Sequence, residues 1–428
     1  MVRLDPGVNI IQDFTVPLLI LAVVAMLIQQ TMATVAKTAI PVLFPTIALD
    51  LGTASEAVLA YTWVFAMVGV LVMAGCGTFI MRYGAIRISQ IGGLLMAAGL
   101  GLAALVAVSF WAAALWVDVL LLAFAAMLIS VGSTSATPAS SEILARYAPP
   151  RIAPFIFSLK QTGVPAGIAI AGALVLPLSV WIGWQAALGV TAATCLVIAL
   201  GLQPCRREFD RDRNPGQKLA LGDVKETVRS VWQQPPLRTM AMAAFVFVGL
   251  QAIFTNFTVV YLYEVLDYTA VEAGAVLGLT TLVAVPARIF WGIVASTMMP
   301  ARPLLGLLAA VMAVAATAMG AFTPDWSPWQ VSAVCVVIAM TALSWHGVLL
   351  SEVARVAPQG SVGRLTGGVL AFGTAGQVAS PLLFGALYFP FGYQAAYLAV
   401  ALPAAAVAFV MLRRDAAMAP SHPTSNAK

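Results

Sequence analysis

Ser141-Glu142-Ile143-Leu144-Ala145-Arg146-Tyr147-Ala148-Pro149 returns half a chain later as Ser351-Glu352-Val353-Ala354-Arg355-Val356-Ala357-Pro358. Gly183-Trp184-Gln185-Ala186-Ala187 returns as Gly392-Tyr393-Gln394-Ala395-Ala396. Two matches separated by 210 and 209 residues, close to half the chain, mean that the chain is built twice over. The first motif closes an apolar segment in each half, and the second opens the last one. Whatever architecture the first half adopts, the second repeats it in the same order.

Around these marks run stretches of about 20 apolar residues or more, the length needed to cross hydrocarbon as a helix. They fall at 16–47, 58–81, 88–110, 114–141, 153–178, 184–203, 238–263, 271–296, 303–322, 328–351, 364–388 and 393–412. The expected fold is therefore an all-α membrane protein of twelve transmembrane helices in two six-helix repeats, residues 1–203 and 237–428. A linker, 204–236, joins them, and its part from Leu219 to Gln233 has apolar residues at helical spacing that predict a helix lying on the membrane surface. Composition agrees, with 61% hydrophobic and 9% charged residues and a mean hydropathy of +0.96. No ordinary soluble protein has that balance. The first fifteen residues contain Asp5 and Asp13 and lead into the first span without a small-residue cleavage site, so that span reads as retained.

The 22 lysines and arginines divide sharply. Arg3, Arg82, Arg87, Arg146, Arg151, the run from Arg206 to Arg238, Arg302, Arg355, Arg364, Arg413, Arg414 and Lys428 all fall in the termini and alternate connections. The other connections carry Asp50, Glu56, Glu264, Asp267, Glu272 and Asp325 and no cation. Because basic loops are retained inside, both termini and the linker are expected in the cytoplasm of a bacterial inner-membrane protein. The net charge of +5 is thus an inside-positive bias, and no nucleic-acid partner is expected. Cys76, Cys195, Cys205 and Cys335 show no paired spacing, which supports neither a disulfide framework nor a metal site. Trp111, Trp326 and Trp329 near span ends read as interfacial anchors.

Three cations remain within spans: Lys37, Lys160 and Arg288. A cation at the bilayer centre costs roughly 2.5 to 3.5 kcal/mol on insertion scales, so such residues face a cavity and have a role there. At 1.5 Å per residue, Lys37 lies about 15 Å from the outer end of span 1 and Arg288 about 12 Å from the inner end of span 8. No acid lies at comparable depth, since Glu142 and Glu352 belong to the inner ends, where local pairing with Arg146 and Arg355 is expected. A small anion is the most economical counter-charge: a guanidinium grips a carboxylate with two parallel hydrogen bonds and an ammonium adds a second charge. Lys160, about 10 Å into span 5, either lines the cavity or reaches back to the cytoplasm. Tyr61 and Trp63 in span 2, Gln251 and Asn256 in span 7 and Gln377 in span 11 are polar or aromatic residues at mid-depth that would orient a small polar molecule. His346 is the only embedded histidine, and it either titrates or serves packing. Asp118 suits either the outer cavity or the interface.

The connection Gly77-Thr78-Phe79-Ile80-Met81-Arg82-Tyr83-Gly84-Ala85-Ile86-Arg87 resembles the loop signature of the major facilitator superfamily, and the twelve-span repeat extends the resemblance over essentially the whole chain. The departure is at the signature aspartate, which is Met81 here and Ser296 in the second half, so the inner gate of that family must be weakened or replaced. Arg82, Gly84, Glu142, Arg146, Glu352 and Arg355 are the gating residues that the resemblance implies. Ala36-Lys37-Thr38-Ala39-Ile40-Pro41 and Ala287-Arg288-Ile289-Phe290-Trp291-Gly292 resemble the matching segments of monocarboxylate transporters. Ser158-Leu159-Lys160-Gln161-Thr162-Gly163 is similar to bacterial cyanate-permease-like carriers. An arginine in span 8 also occurs in oxalate-type and nitrate-type carriers.

The resemblance implies a secondary transporter and not an enzyme, moving a small organic anion with protons as co-substrate, working as a monomer in the lipid bilayer without a cofactor. No ATP-binding glycine-lysine loop appears, so a gradient must drive it. The acid that monocarboxylate transporters carry four residues before the arginine is Ala284 here, which leaves His346 or Asp118 as candidates for proton coupling. Three rivals stand: an inorganic-anion carrier, a proton-coupled drug exporter, and a receptor built on a transporter fold. Against the exporter, the span 4 arginine of that class is Ala126 and the cavity charge is positive. Against the receptor, no sensory domain is evident.

Overall fold

In hydrocarbon every backbone N–H and C=O must be paired within the chain, so long apolar segments have helix as their only solution short of a closed barrel. The computed structural model describes residues 10–51, 56–106, 115–217 and 223–413, and among them there is no strand. Eleven helices are long and apolar enough to cross a membrane. The last, Val362–Leu412, is two spans, because Gly392 leaves helical geometry (φ 77°, ψ 173°) and divides it. The twelve expected spans are therefore present in order. Trp111, Arg3, Lys218, Arg414, Lys428 and the start of the expected linker helix at Leu219 lie outside the described residues.

The repeat seen in sequence has a structural reason. Gly183 adopts φ 84° between Leu176–Ile182 and Trp184–Gly201, the same left-handed turn that Gly392 makes in the second half. The aromatic residue that follows then reaches the end of the first span of its own half. Trp184 Nε1 donates to Asp50 at 2.6 Å, and Tyr393 Oη donates to Glu264 at 2.8 Å. A Cβ is poorly tolerated at that φ, which is why both copies begin with glycine.

Spans 4, 5 and 10 are interrupted. Span 4 divides into Leu115–Thr134 and Ala136–Tyr147, and span 10 into Pro328–Ala342 and His346–Val356. Span 5 runs as Ala153–Gln161 and Gly163–Ile170, then a wide π turn, Ala171–Val175, before Leu176–Ile182. Pro165 explains the first break in span 5. It has no N–H to donate to the carbonyl four residues earlier, so the Gln161 carbonyl is freed. Such a break persists in a membrane only where another donor takes the carbonyl.

The linker departs from expectation. Its helix, Asp223–Gln233, does not spread its apolar face on lipid but buries Thr227 and Val231. Val231 and Thr227 pack on Gly368, Val224 packs on Gly75, and the Trp232 ring stacks on Phe372 at 5.8 Å. The helix thus docks in the groove between spans 2 and 11. Arg364 holds it there through Glu226 and Ser230.

Candidate functional site

Arg288 is 4% exposed, and its guanidinium joins the two broken spans. Nη1 donates to the Gln161 carbonyl at 2.6 Å and Nε to the Leu343 carbonyl at 2.8 Å. Both acceptors lie at helix breaks, Gln161 four residues before Pro165 and Leu343 in the gap between the two helices of span 10. The bond to Gln161 crosses between the halves of the molecule. Two of the five guanidinium N–H groups are occupied in this way, and three remain.

Lys160 takes neither of its expected positions. It is 1% exposed, and Nζ donates to Gln30 Oε1 at 2.6 Å and to Gln161 Oε1 at 3.2 Å. Gln30 also accepts from Thr137 Oγ1 at 3.0 Å, so spans 1, 4 and 5 meet at one amide. The lysine neither lines an open cavity nor reaches the linker side. Gln161 holds both cations, one on its side chain and one on its backbone. Sequence reading missed Gln30, Gln161 and Thr137, although Gln29-Gln30 in an apolar span and a residue four before a proline were available signals.

Lys37 is half-buried, and among the described residues its Nζ has no hydrogen-bond partner. Arg288 acts on it by charge, and Arg288, Lys37 and Lys160 together act on His346. His346 opens the inner helix of span 10 and stacks on Trp345 at 3.8 Å, with Nδ1 buried and unbonded. Lys37, Lys160, Arg288 and His346 therefore share one electrostatic neighbourhood. Ala284, where a family acid would stand, is buried, and its carbonyl accepts from Ser344 Oγ at 3.2 Å.

The remaining expected residues divide. Tyr61 is buried against Phe44 and Phe65, its hydroxyl unbonded, and Gln251 Oε1 is likewise buried without a partner. Trp63, Asn256 and Gln377 are exposed, and no hydrogen bond joins them to the cations among the described residues. Asp118 stands in the first turn of Leu115–Thr134, about 28 Å along the span from Thr137 at 1.5 Å per residue, and is not part of the cluster.

Around the positions of the missing aspartates other groups make the contacts. Glu142 accepts from the Gly363 amide at 2.6 Å, capping the start of span 11 from the opposite half. It does not pair with Arg146 as expected; Arg146 instead ion-pairs with Asp212 and donates to the Phe209 carbonyl. Glu352 does pair locally, with Arg355 at 2.7 Å. Ser296, at the second aspartate position, accepts from the Phe155 amide at 3.1 Å and so caps span 5 with a hydroxyl. Arg82 donates to the Gln217 carbonyl. Gly84, at φ 94°, leaves room for Asp210, whose oxygens accept from the Ile86 and Arg87 amides; a Cβ there would lie 2.2 Å from Asp210 Cγ. Burial raises the Asp210 carboxyl above its ordinary value against the pull of those amides and of Arg206 and Arg213.

Packing on this side is close. A Cβ on Gly347 would lie 2.3 Å from Ser158 Cα, and one on Gly77 would lie 2.2 Å from Arg364 Cα, so backbones of opposite halves touch where the linker joins. The bonds from Arg288, Ser296 and Glu142 fall at and below this level. The linker side is closed.

A family model, the Major Facilitator Superfamily, matches residues 26–367. The chain belongs to this superfamily. Its fold is that of solved superfamily structures, each similar over nearly its whole length. A bacterial homologue of the iron transporter ferroportin in an outward-facing state has TM-score 0.74 at 16% identity, covering 91% of this chain and 99% of that one. The human organic anion transporter MFSD10 (TETRAN) has TM-score 0.71 at 14% identity, covering 91% and 98%. The E. coli fucose:proton symporter FucP has TM-score 0.68 at 17% identity, covering 92% and 98%. No curated protein matches the sequence. As a major facilitator the chain is a multi-pass membrane transporter for a small substrate and not an enzyme.

Proposed function

We infer that this transporter carries a small organic anion, a carboxylate by the chemistry of its donors, by alternating access between two bundles, residues 1–203 and 237–428. The observation that carries the reading is Lys37: an embedded ammonium that, among the described residues, has no hydrogen-bond partner and no acid at its depth, within charge range of Arg288. A cation of this kind is costly in hydrocarbon unless an anion visits it. The three free N–H groups of Arg288 supply the directional part of the grip and Lys37 the compact charge. A cationic drug would meet only repulsion.

With the basic loops inside, the linker side, where the two halves meet, is the cytoplasmic side. Protons are the coupling ion: bound anion offsets the mutual repulsion of Lys37, Lys160, Arg288 and His346, so anion and proton favour each other's binding. His346 lies within charge range of all three cations. The test is a thermal-shift screen of purified protein against mono- and dicarboxylates, cyanate, nitrate and amino acids, repeated with Lys37→Ala. Stabilisation by carboxylates that disappears in the variant is expected. Stabilisation by cyanate or nitrate alone would favour an inorganic-anion carrier, and retention in Lys37→Ala would remove Lys37 from the site.

A further inference from the structure

The loop that leaves span 6 borders a half-open cavity of about 920 Å³, away from the embedded cations. Leu200 and Pro204 form one wall, and Arg206, Arg207, Arg211 and Arg213 the other. Leu200 is 61% exposed and Val197, one turn before it, 68%, so the apolar wall continues along the lipid-facing side of span 6. The arginines follow within a few residues of the end of that span, at the depth of lipid headgroups.

The acids of this loop neutralise the cluster only in part. Glu208 binds Arg211 and receives the Tyr147 hydroxyl, and Asp212 binds Arg146. Asp210 lies inside the cavity, accepts from the amides that open span 3 and ion-pairs with Arg206 Nε at 3.7 Å without a hydrogen bond. Arg206 Nε is buried without a hydrogen-bond acceptor. Arg207 and Arg213 are exposed and have no ion-pair partner among the described residues.

We propose that this cavity binds the headgroup of an anionic glycerophospholipid. A phosphodiester offers the paired oxygens that guanidinium groups grip, and basic pockets on the inner side of membrane proteins take such lipids. The apolar wall decides between lipid and free phosphate: an acyl chain lies along Leu200 and Val197 while the phosphate meets the arginines, and a soluble anion gains nothing from that wall. The reading is independent of the transported substrate.

The experiment is native mass spectrometry of the full chain in dodecyl maltoside, titrated with dioleoyl-phosphatidylglycerol or dioleoyl-phosphatidylcholine. The wild type should retain the anionic lipid in preference. The triple variant Arg206→Gln, Arg207→Gln, Arg213→Gln should lose that preference, with affinity falling about a hundredfold for three charges. Removing three charges elsewhere on the same side, Lys225→Gln, Arg229→Gln, Arg238→Gln, should leave it in place. Arg207→Glu, a change at one exposed position, should weaken it even if the triple variant folds poorly. Equal retention of both lipids, or a preference that survives the triple variant and Arg207→Glu, overturns the proposal. Displacement of phosphatidylglycerol by millimolar inorganic phosphate also overturns it, since the site would then be one for free anions.

Discussion

Arg288 Nη1 lies 2.6 Å from the carbonyl oxygen of Gln161, a bond between the two halves that exists because Pro165 cannot claim that carbonyl for its own helix. The same guanidinium holds the Leu343 carbonyl at the break in span 10. One side chain thus stabilises two interrupted spans and ties the halves near mid-depth, close to where the anion is proposed to sit. Binding and gating share the residue.

Arg288→Lys should therefore weaken anion binding despite conserving charge. A lysine cannot span both carbonyls and present a planar fork to a carboxylate. Loss of one charge-assisted interaction should cost about 1.5 to 3 kcal/mol, roughly tenfold to a hundredfold in affinity. Calorimetric titration with the best carboxylate from the stability screen measures it, and wild-type affinity in a folded variant would clear Arg288.

Pro165→Ala restores an N–H that competes with Arg288 for the Gln161 carbonyl. The span should become more continuous and the tie between halves weaker. Cysteines placed at exposed linker-side positions such as Arg151 should then react faster with an impermeant maleimide reporting the linker-open state, while unchanged labelling would show that the Arg288 bond does not hold the gate.

Gly347→Val places side-chain atoms where Ser158 backbone stands, 2.3 Å from the position of its Cβ. The closed linker side cannot form without displacement, so the population should shift to the linker-open state. Distances between spin labels on the ends of spans 4 and 10 should lengthen on the linker side; an unchanged distribution would contradict the closure described here.

Gln30→Leu leaves buried Lys160 with only Gln161 as acceptor. Removing a partner from a buried charge costs on the order of 3 kcal/mol or more, whereas removing both partners costs less. The single variant should melt well below wild type, and Gln30→Leu combined with Lys160→Met should recover part of the loss in thermal unfolding. Additive losses in the double variant would mean that the bond contributes little.

An inward proton gradient should stimulate uptake into proteoliposomes, and lower pH should tighten anion binding by the same factor that anion promotes proton binding. His346→Gln should reduce the stimulation if the histidine carries the proton. Uptake indifferent to pH between about 5.5 and 8, a window spanning the ordinary histidine value, would favour anion exchange or a uniporter; stimulation that survives His346→Gln would move attention to Lys37.

Membrane spans were legible because hydrocarbon leaves an apolar segment little choice but helix, and the repeat was legible because Gly183-Trp184 and Gly392-Tyr393 make the same turn and reach the same kind of acid. The gate was half legible: Met81 and Ser296 showed that the usual aspartates were gone, but not that Glu142 and Ser296 would cap spans 11 and 5 across the halves. Such capping depends on which helix ends meet, and residues far apart in the chain carry no local sign of it.

For the embedded cations the division is similar. Their presence, depth and lack of nearby acids follow from hydropathy and order along the chain. Which of them is free does not: Lys37 and Lys160 are alike as residues in apolar spans, yet Lys160 is sealed by Gln30 and Gln161 while Lys37 has no hydrogen-bond partner among the described residues. That distinction arises only when spans 1, 4, 5, 8 and 10 converge, because a buried charge is satisfied by neighbours in space, and packing between helices, not spacing within one, supplies them.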